Sequence, residues 1–266
     1  MREIVLHQGL YLIIGLFAGL MSGILGIGGG VIVVPALVFI FQYNHLVPAD
    51  VIMHVAAGTS LAVMIFTSLA SLSAHYKMGE ILWQVFNKLW PGIILGVCVG
   101  AFTAQFIPTL WLKIIFALFL LFVAFKMFVD RDKAQVRATP KMLYHHLVSL
   151  FIGFKSGLLG VGGGVLVIPY LTFSGVPVRK IAPVSNLCTF TVAIVGSLVF
   201  MATGYREMAA VAYATGYVYW PAVLSVALAS AVIAPIGAKL NYILPVKQLK
   251  YVFIIILILT ALKMLF

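Results

Sequence analysis

What most constrains this chain is a sentence written twice. Gly15 to Leu37 reads GLFAGLMSGILGIGGGVIVVPAL and Ser149 to Leu171 reads SLFIGFKSGLLGVGGGVLVIPYL, identical at 14 of 23 positions without a gap. Each copy is an apolar segment interrupted by glycines: Gly26, Gly28, Gly29 and Gly30 in the first, Gly160, Gly162, Gly163 and Gly164 in the second. Adjacent glycines weaken a continuous helix, because each loses more backbone freedom on ordering than any other residue. Any fold must therefore break twice, at corresponding places. A pair of Gly-interrupted apolar segments in two halves points to the binding site of a transporter.

The correspondence runs on past the glycines. His54 to Leu61 (HVAAGTSL) meets Lys180 to Leu187 (KIAPVSNL), Trp90-Pro91 meets Trp220-Pro221, and Phe125-Lys126-Met127 meets Leu262-Lys263-Met264. Between the halves lies DRDKAQVRATPK, the only markedly hydrophilic stretch. The reading is a first repeat over 1–129, a basic linker over 130–141 and a second repeat over 142–266.

Which solvent surrounds these repeats follows from composition. The chain is 64% apolar and 9% charged, against roughly 25% charged in a soluble domain. Runs such as Val51 to Ala74, Pro91 to Ile107, Ile114 to Val129 and Val252 to Phe266 approach or exceed the length that crosses a bilayer as a helix. No barrel-type alternation is present, so backbone groups are satisfied within helices and the fold class is all-α, polytopic. The net charge of +11 comes mostly from short loops between spans, which suits membrane orientation and not a nucleic-acid partner. Cys98 and Cys188 sit inside apolar runs without metal or redox spacing and read as packing residues. No paired carboxylates, His-rich metal spacing or activated cysteine is visible, so no catalytic residue, metal or cofactor is expected. The sequence leaves oligomeric state open.

The stretch from Gly9 to Phe41 is too long for one span and too short for two spans with a turn; its counterpart, His146 to Phe173, is shorter still. Each is read as a re-entrant hairpin of two half-length helices with its glycines at the tip. With three transmembrane helices after each hairpin, the second half becomes the inverse of the first. This arrangement puts Lys77, Lys88, Lys126, Arg131, Lys133, Arg137, Lys141, Arg179, Lys180, Lys239, Lys247 and Lys250 on one side and Arg2, Lys113, Arg206 and Lys263 on the other. Basic residues accumulate on the cytoplasmic side, so the linker is expected there, with both termini outside.

Several residues are candidates for the chemistry. Backbone N–H groups of Gly28, Gly29, Gly30, Gly162, Gly163 and Gly164 can converge in a concavity at the positive end of the following helix, which favours an anion. Pro35 and Pro169 follow each tip by five residues and shape the site by freeing a carbonyl. Gly15, Gly19, Gly23, Gly153 and Gly157 recur at four-residue spacing and read as close helix packing. Lys155 faces Met21 in the repeat and lies roughly 20 Å beyond the linker along a helix. No acidic residue falls obviously inside a span to pair with it, so it points to a transported anion. Thr59, Ser60, Ser185, Asn186 and Thr189 are polar residues at membrane depth. His54 and His75 read as interfacial histidines near span ends, and Trp90, Trp111 and Trp220 as interfacial anchors.

The doubled pattern G-x3-G-x2-SG-x-LG-x-GGG-x-V-x2-P, over nearly the whole chain, resembles the TauE/SafE family of membrane permeases. The resemblance implies movement of small sulfur-containing anions, such as sulfite or organosulfonates, across the inner membrane of a prokaryote. Gly28, Gly29, Gly30, Gly162, Gly163 and Gly164, with Pro35 and Pro169, are carried over as family motif positions; the substrate contact expected at the glycines and the shaping role of the prolines rest on the backbone chemistry above. Lys155 departs from the small or apolar residue expected there. The expected function is a secondary transporter, acting as an exporter; the alternatives are an anion channel, a membrane-embedded enzyme or an assembly factor.

Overall fold

A computed structural model describes residues 2–44, 46–77, 81–129, 142–176, 178–243 and 246–265. The linker expected at 130–141 lies outside the described residues. Ten α-helices are described: α1 (Arg2–Leu25), α2 (Gly30–Asn44), α3 (Ile52–Lys77), α4 (Trp83–Ala104), α5 (Thr109–Val129), α6 (Met142–Leu159), α7 (Gly164–Phe173), α8 (Val178–Thr203), α9 (Trp220–Ile243) and α10 (Val246–Leu265). The protein is an all-α polytopic membrane protein. Among the described residues, segments of α1, α3, α4, α5, α8 and α9 are long and apolar enough to cross a bilayer. α10, with 20 residues, reaches about 30 Å, also enough.

Both glycine clusters break the chain as expected, but the arms they separate are unequal. α1 has 24 residues and α2 has 15, whereas α6 has 18 and α7 only 10. At about 1.5 Å per residue, α1 is a full-length arm. The difference between α2 and α7 lies at their ends. After Phe173, Gly175 adopts a left-handed φ of 76°, Val176 donates to the Leu171 carbonyl and Gly175 to that of Thr172. This glycine stop ends α7; α2 meets none and runs on to Asn44.

The repeats interlock. α1 packs on α9, and α6 on α4. Along α1, Gly15 faces Val226, Gly19 faces Ser230 and Gly23 faces Ala234, so α1 and α9 run parallel. A methyl on Gly19 would stand 2.5 Å from the Ser230 carbonyl oxygen. Along α4, Gly92 faces His146, Gly96 faces Leu150 and Gly100 faces Phe154, again a parallel pair at backbone contact. Small residues let these backbones approach where hydrocarbon supplies no hydrophobic drive.

α3 and α8 form the buried centre. Asn186 meets Ser71, Gly196 meets Leu61 and Phe200 meets Gly58, so these corresponding helices are antiparallel. Thr59 meets Tyr219 and Thr67 meets Ser230, so α3 runs parallel to α9. Between α8 and α9, residues 204–219 form a strap over the end where α3 begins. It closes in a short hairpin, β1 (Ala214–Thr215) against β2 (Val218–Tyr219). This end is called the strap face below, and the opposite end, where α5 finishes and α6 begins, the linker face.

Candidate functional site at the crossed glycine tips

α2 and α7 begin at Gly30 and Gly164, so the N-terminus of each sits at a tip. The first amides of a helix lack intrahelical acceptors and carry the positive end of its dipole. One of them is satisfied by α8: the Gly164 N–H donates to Thr189 Oγ1 at 3.2 Å.

The tips cross. A Cβ on Gly30 would meet the Gly160 carbonyl oxygen at 3.0 Å, and one on Gly164 would run into the Gly26 carbonyl oxygen and stand 2.6 Å from Ile27 Cα. Each tip also rests on the central helix of the other half: Gly26 against Ala182 of α8, Gly160 against Ala57 of α3. Between these supports, Gly28 and Gly162 both face Thr189 and Met64. Met64 is the thirteenth of the 26 residues of α3, and Thr189 the twelfth of the 26 of α8. The contact is therefore centred on the middle of the two most buried spans.

Four of the six expected tip glycines, Gly28, Gly30, Gly162 and Gly164, line this contact. Gly29 turns back onto Ala18 of its own arm, and Gly163 faces Val192, Ile152 and Val167. All six are buried. Their backbones differ: Gly26, Gly28 and Gly29 have φ of 70°, 77° and 78°, while in the second cluster only Gly160, at 68°, is left-handed.

Of the polar candidates, Ser185 reaches the tips, donating from Oγ to the Gly26 carbonyl at 2.6 Å. Its counterpart Thr59 does not; its Oγ1 accepts from the Tyr219 N–H at 3.0 Å and anchors the strap. Asn186 donates to Ser71 Oγ at 2.9 Å, leaving Oδ1 unpartnered, and Ser60 Oγ is also buried without a partner. Pro35 and Pro169 lie within α2 and α7, half-buried. Lys155 is half-buried, with its ammonium 5.2 Å and 5.4 Å from the ring centroids of Phe151 and Phe119. Gly153 and Gly157 on either side of it face α4, so Lys155 occupies the opposite face of α6. A cation over aromatic faces is a favourable pairing that needs no carboxylate.

The histidines are not interfacial. His54 is 3% exposed and His75 fully buried. His75 hydrogen-bonds the Gly23 backbone, beside the first tip. Met64, Ser22 and Ser71 were not singled out from sequence. Ser22 carried a usable signal, since Ser-Gly precedes the tip in both copies; its Oγ is buried and unpartnered. Just outside the spans, Tyr217 in the strap donates to Glu207, and its phenol is pushed well above its ordinary value by burial and then by this bond.

Sequence comparisons agree with the architecture. A probable membrane transporter protein of Haemophilus influenzae is 34% identical over 259 residues, covering 96% of this chain and 97% of the relative. Another, of Methanocaldococcus jannaschii, is 32% identical over 253 residues, covering 93% and 91%. No solved structure matches the chain. The family described as sulfite exporter TauE/SafE matches residues 11–264. With that match spanning both glycine hairpins and every apolar helix between them, this chain belongs to the TauE/SafE family and is a membrane transporter.

Proposed function

We propose that the protein exports a small sulfur-containing anion, such as sulfite or an organosulfonate, across a prokaryotic inner membrane by alternating access around the crossed tips. The observation that carries this reading is the mutual support of the tips: each rests on the other half's central helix, and both face Met64 and Thr189 at mid-span. Substrate class comes from the family description, sulfite exporter. In this reading an anion enters when the tips part, and the first amides of α2 and α7, with Ser185 and Thr189, replace its hydration. Ser60 and Asn186 offer unpartnered buried oxygens, and Lys155, whose ammonium lies over Phe119 and Phe151, contributes positive potential from the arm leading to the second tip.

The two halves are read as inverted repeats. In support, α3 and α8 correspond in sequence yet run antiparallel, and the parallel pairs α1 with α9 and α4 with α6 exchange under the same inversion. A chain that returns at each tip supports the twelve-to-four division of basic residues, by which the linker face is read as cytoplasmic. With the inside negative, the potential drives an anion outward by about 2.3 kcal/mol per charge per 100 mV, and export needs no coupling ion.

The experiment is counterflow in proteoliposomes loaded with sulfite, thiosulfate, taurine or sulfoacetate. Trans-stimulated exchange of one of these anions is the expected result. Flux without trans-stimulation would assign a channel, and no flux of any of the four would overturn the substrate class.

A further inference from the structure

Helices α5 and α10 carry lysines at matching places. Lys113 and Lys126 lie thirteen positions apart on α5, and Lys250 and Lys263 thirteen apart on α10. Lys113 is the fifth residue of α5 and Lys263 the eighteenth of the 20 of α10, yet both line one groove, so the two helices run antiparallel. The same pairing places Lys126 and Lys250 toward the linker face. Lys113 and Lys263 lie at the strap-face end, where basic residues are few. The accumulation of charge that orients a membrane chain does not account for them.

The groove runs along α2 between α1, α5 and α10, with a volume of about 430 Å³, on the scale of one fatty acyl chain. Its walls are apolar, with Ile14 and Phe17 from α1, Ile32, Pro35 and Phe39 from α2 and Leu259 from α10. Phe17, Phe39 and Leu259 are exposed, so the groove opens on the surface that meets lipid. Thr260, also in the wall, has its hydroxyl bonded to the Ile256 carbonyl at 2.6 Å. Charge gathers at the strap-face end. There the Lys263 ammonium stands 3.8 Å from the centroid of the Phe39 ring, and Gln42 lines the groove from the last turn of α2. Past Lys113 a second pocket continues, lined by Asp50, Thr109 and Lys113.

We propose that this groove is a binding site for an anionic phospholipid, with one acyl chain along α2 and the phosphate between Lys113 and Lys263. Lysines near span ends extend along their apolar stems to the interface, the level of lipid phosphates. Two ammoniums against the Asp50 carboxylate leave the rim positive, which favours a headgroup of net negative charge over a zwitterion. Asp50 can accept from the hydroxyls of a glycerol headgroup, so phosphatidylglycerol matches both pockets. A small inorganic anion would leave the apolar walls unused. A second copy of the chain, seated here across a two-fold axis, would set its own lysines against these. The acyl chain passes Pro35, where α2 lacks a backbone donor, and braces α2, whose first amides form the first tip. The site stands whichever solute the protein carries.

The test is photo-crosslinking of the full chain in phosphatidylcholine liposomes doped with a phosphatidylglycerol or a phosphatidylcholine probe, each with a diazirine at the same acyl carbon. Adducts are mapped by mass spectrometry at Phe39 and Leu259 and divided by those at Leu95, an exposed residue of α4. The expected ratio is at least fivefold higher for the phosphatidylglycerol probe. Lys113→Gln with Lys263→Gln is expected to bring it down to the phosphatidylcholine level, and Lys113→Arg with Lys263→Arg to preserve it. Ala36→Phe fills the groove from α2 while keeping both lysines; it is expected to remove the excess and covers the case in which the glutamine variant does not fold. In detergent, added phosphatidylglycerol is expected to raise the unfolding temperature of the unsubstituted protein, as any ligand of the folded state does. Equal ratios for the two probes would overturn the proposal. So would an excess that survives in the folded glutamine variant or in Ala36→Phe, displacement of the probe by inorganic sulfite, or a native mass of two chains with the groove free of adducts.

Discussion

The two glycine tips are nearly the same words in different conformations. The first uses three left-handed glycines, the second one. The carbonyl of the first tip is held by the Ser185 hydroxyl of α8, whereas the equivalent hydroxyl, Thr59 of α3, holds the strap. Around the first tip lie Ser22, Ser71, His75 and Asn186; the positions corresponding to Ser71, His75 and Asn186 are Ser197, Met201 and Ser60. A duplicated sequence thus provides two hairpins, and the helix each one lands on decides its shape. The difference gives the first tip a buried histidine where the second copy has Met201, and puts the opposite face under a strap.

The largest effects test whether the tips touch. Gly164→Ala directs a methyl into the Gly26 backbone, and overpacking of this kind costs about 3 kcal/mol. Thermal unfolding in detergent is expected to show a severe loss. Gly30→Ala meets the flexible end of Met64 as well as backbone at 3.0 Å and is expected to lose less. Equal losses would mean that the two sides of the contact are alike.

The next pair probes the difference in backbone. Gly29 and Gly163 occupy the same place in the repeat, but Gly29 has a φ of 78°. An L-residue there costs about 1–2 kcal/mol, so Gly29→Ala is expected to lower the unfolding temperature. Gly163→Ala, whose nearest neighbours are side chains at 3.3 Å and beyond, is expected to leave it nearly unchanged.

Ser185→Ala strips the Gly26 carbonyl of its donor, a loss of about 1–3 kcal/mol for a buried acceptor, and is expected to reduce exchange. Thr59→Ala removes the acceptor of the strap's Tyr219 N–H and is expected to lower the unfolding temperature while affecting exchange less. Lys155→Met restores the residue type found at Met21. A tenfold loss of anion binding, about 1.4 kcal/mol, is expected in calorimetric titration; unchanged binding would leave Lys155 only its aromatic partners.

The smallest effect is alkaline. Burial and Glu207 hold the Tyr217 phenol above its ordinary value, so the folded state binds this proton more tightly than the unfolded one. Its contribution is complete below the unfolded value of about 10 and declines as pH rises past it. The unfolding temperature should fall at high pH, and Tyr217→Phe should flatten that slope.

Much of the fold was legible because bilayer physics leaves few choices. Apolar length predicts spans, glycine pairs predict breaks, and small residues every fourth position predict close packing, seen where Gly15, Gly19 and Gly23 meet α9. The partner ladder Gly92, Gly96 and Gly100 has the same spacing. Arm length was not legible, because α7 ends at one left-handed glycine. The site was legible in part: Ser185 and the tip glycines come together, while Thr59 goes to the strap and Lys155 to two phenylalanines. Spacing along one helix fixes which face a residue shares, not which neighbour that face meets.

By itself, then, the sequence determined a membrane protein of two matching halves, each broken at a glycine cluster, since hydrophobicity and backbone freedom are local properties. Only the tertiary structure decided that each tip rests on the opposite half and that one tip is gripped by serine while a strap anchored by threonine covers the opposite face. It also decided that a histidine near the end of a span lies buried under that strap. Those outcomes depend on contacts between residues more than a hundred positions apart, where the two copies had diverged and the pairing of helices selected one use for each.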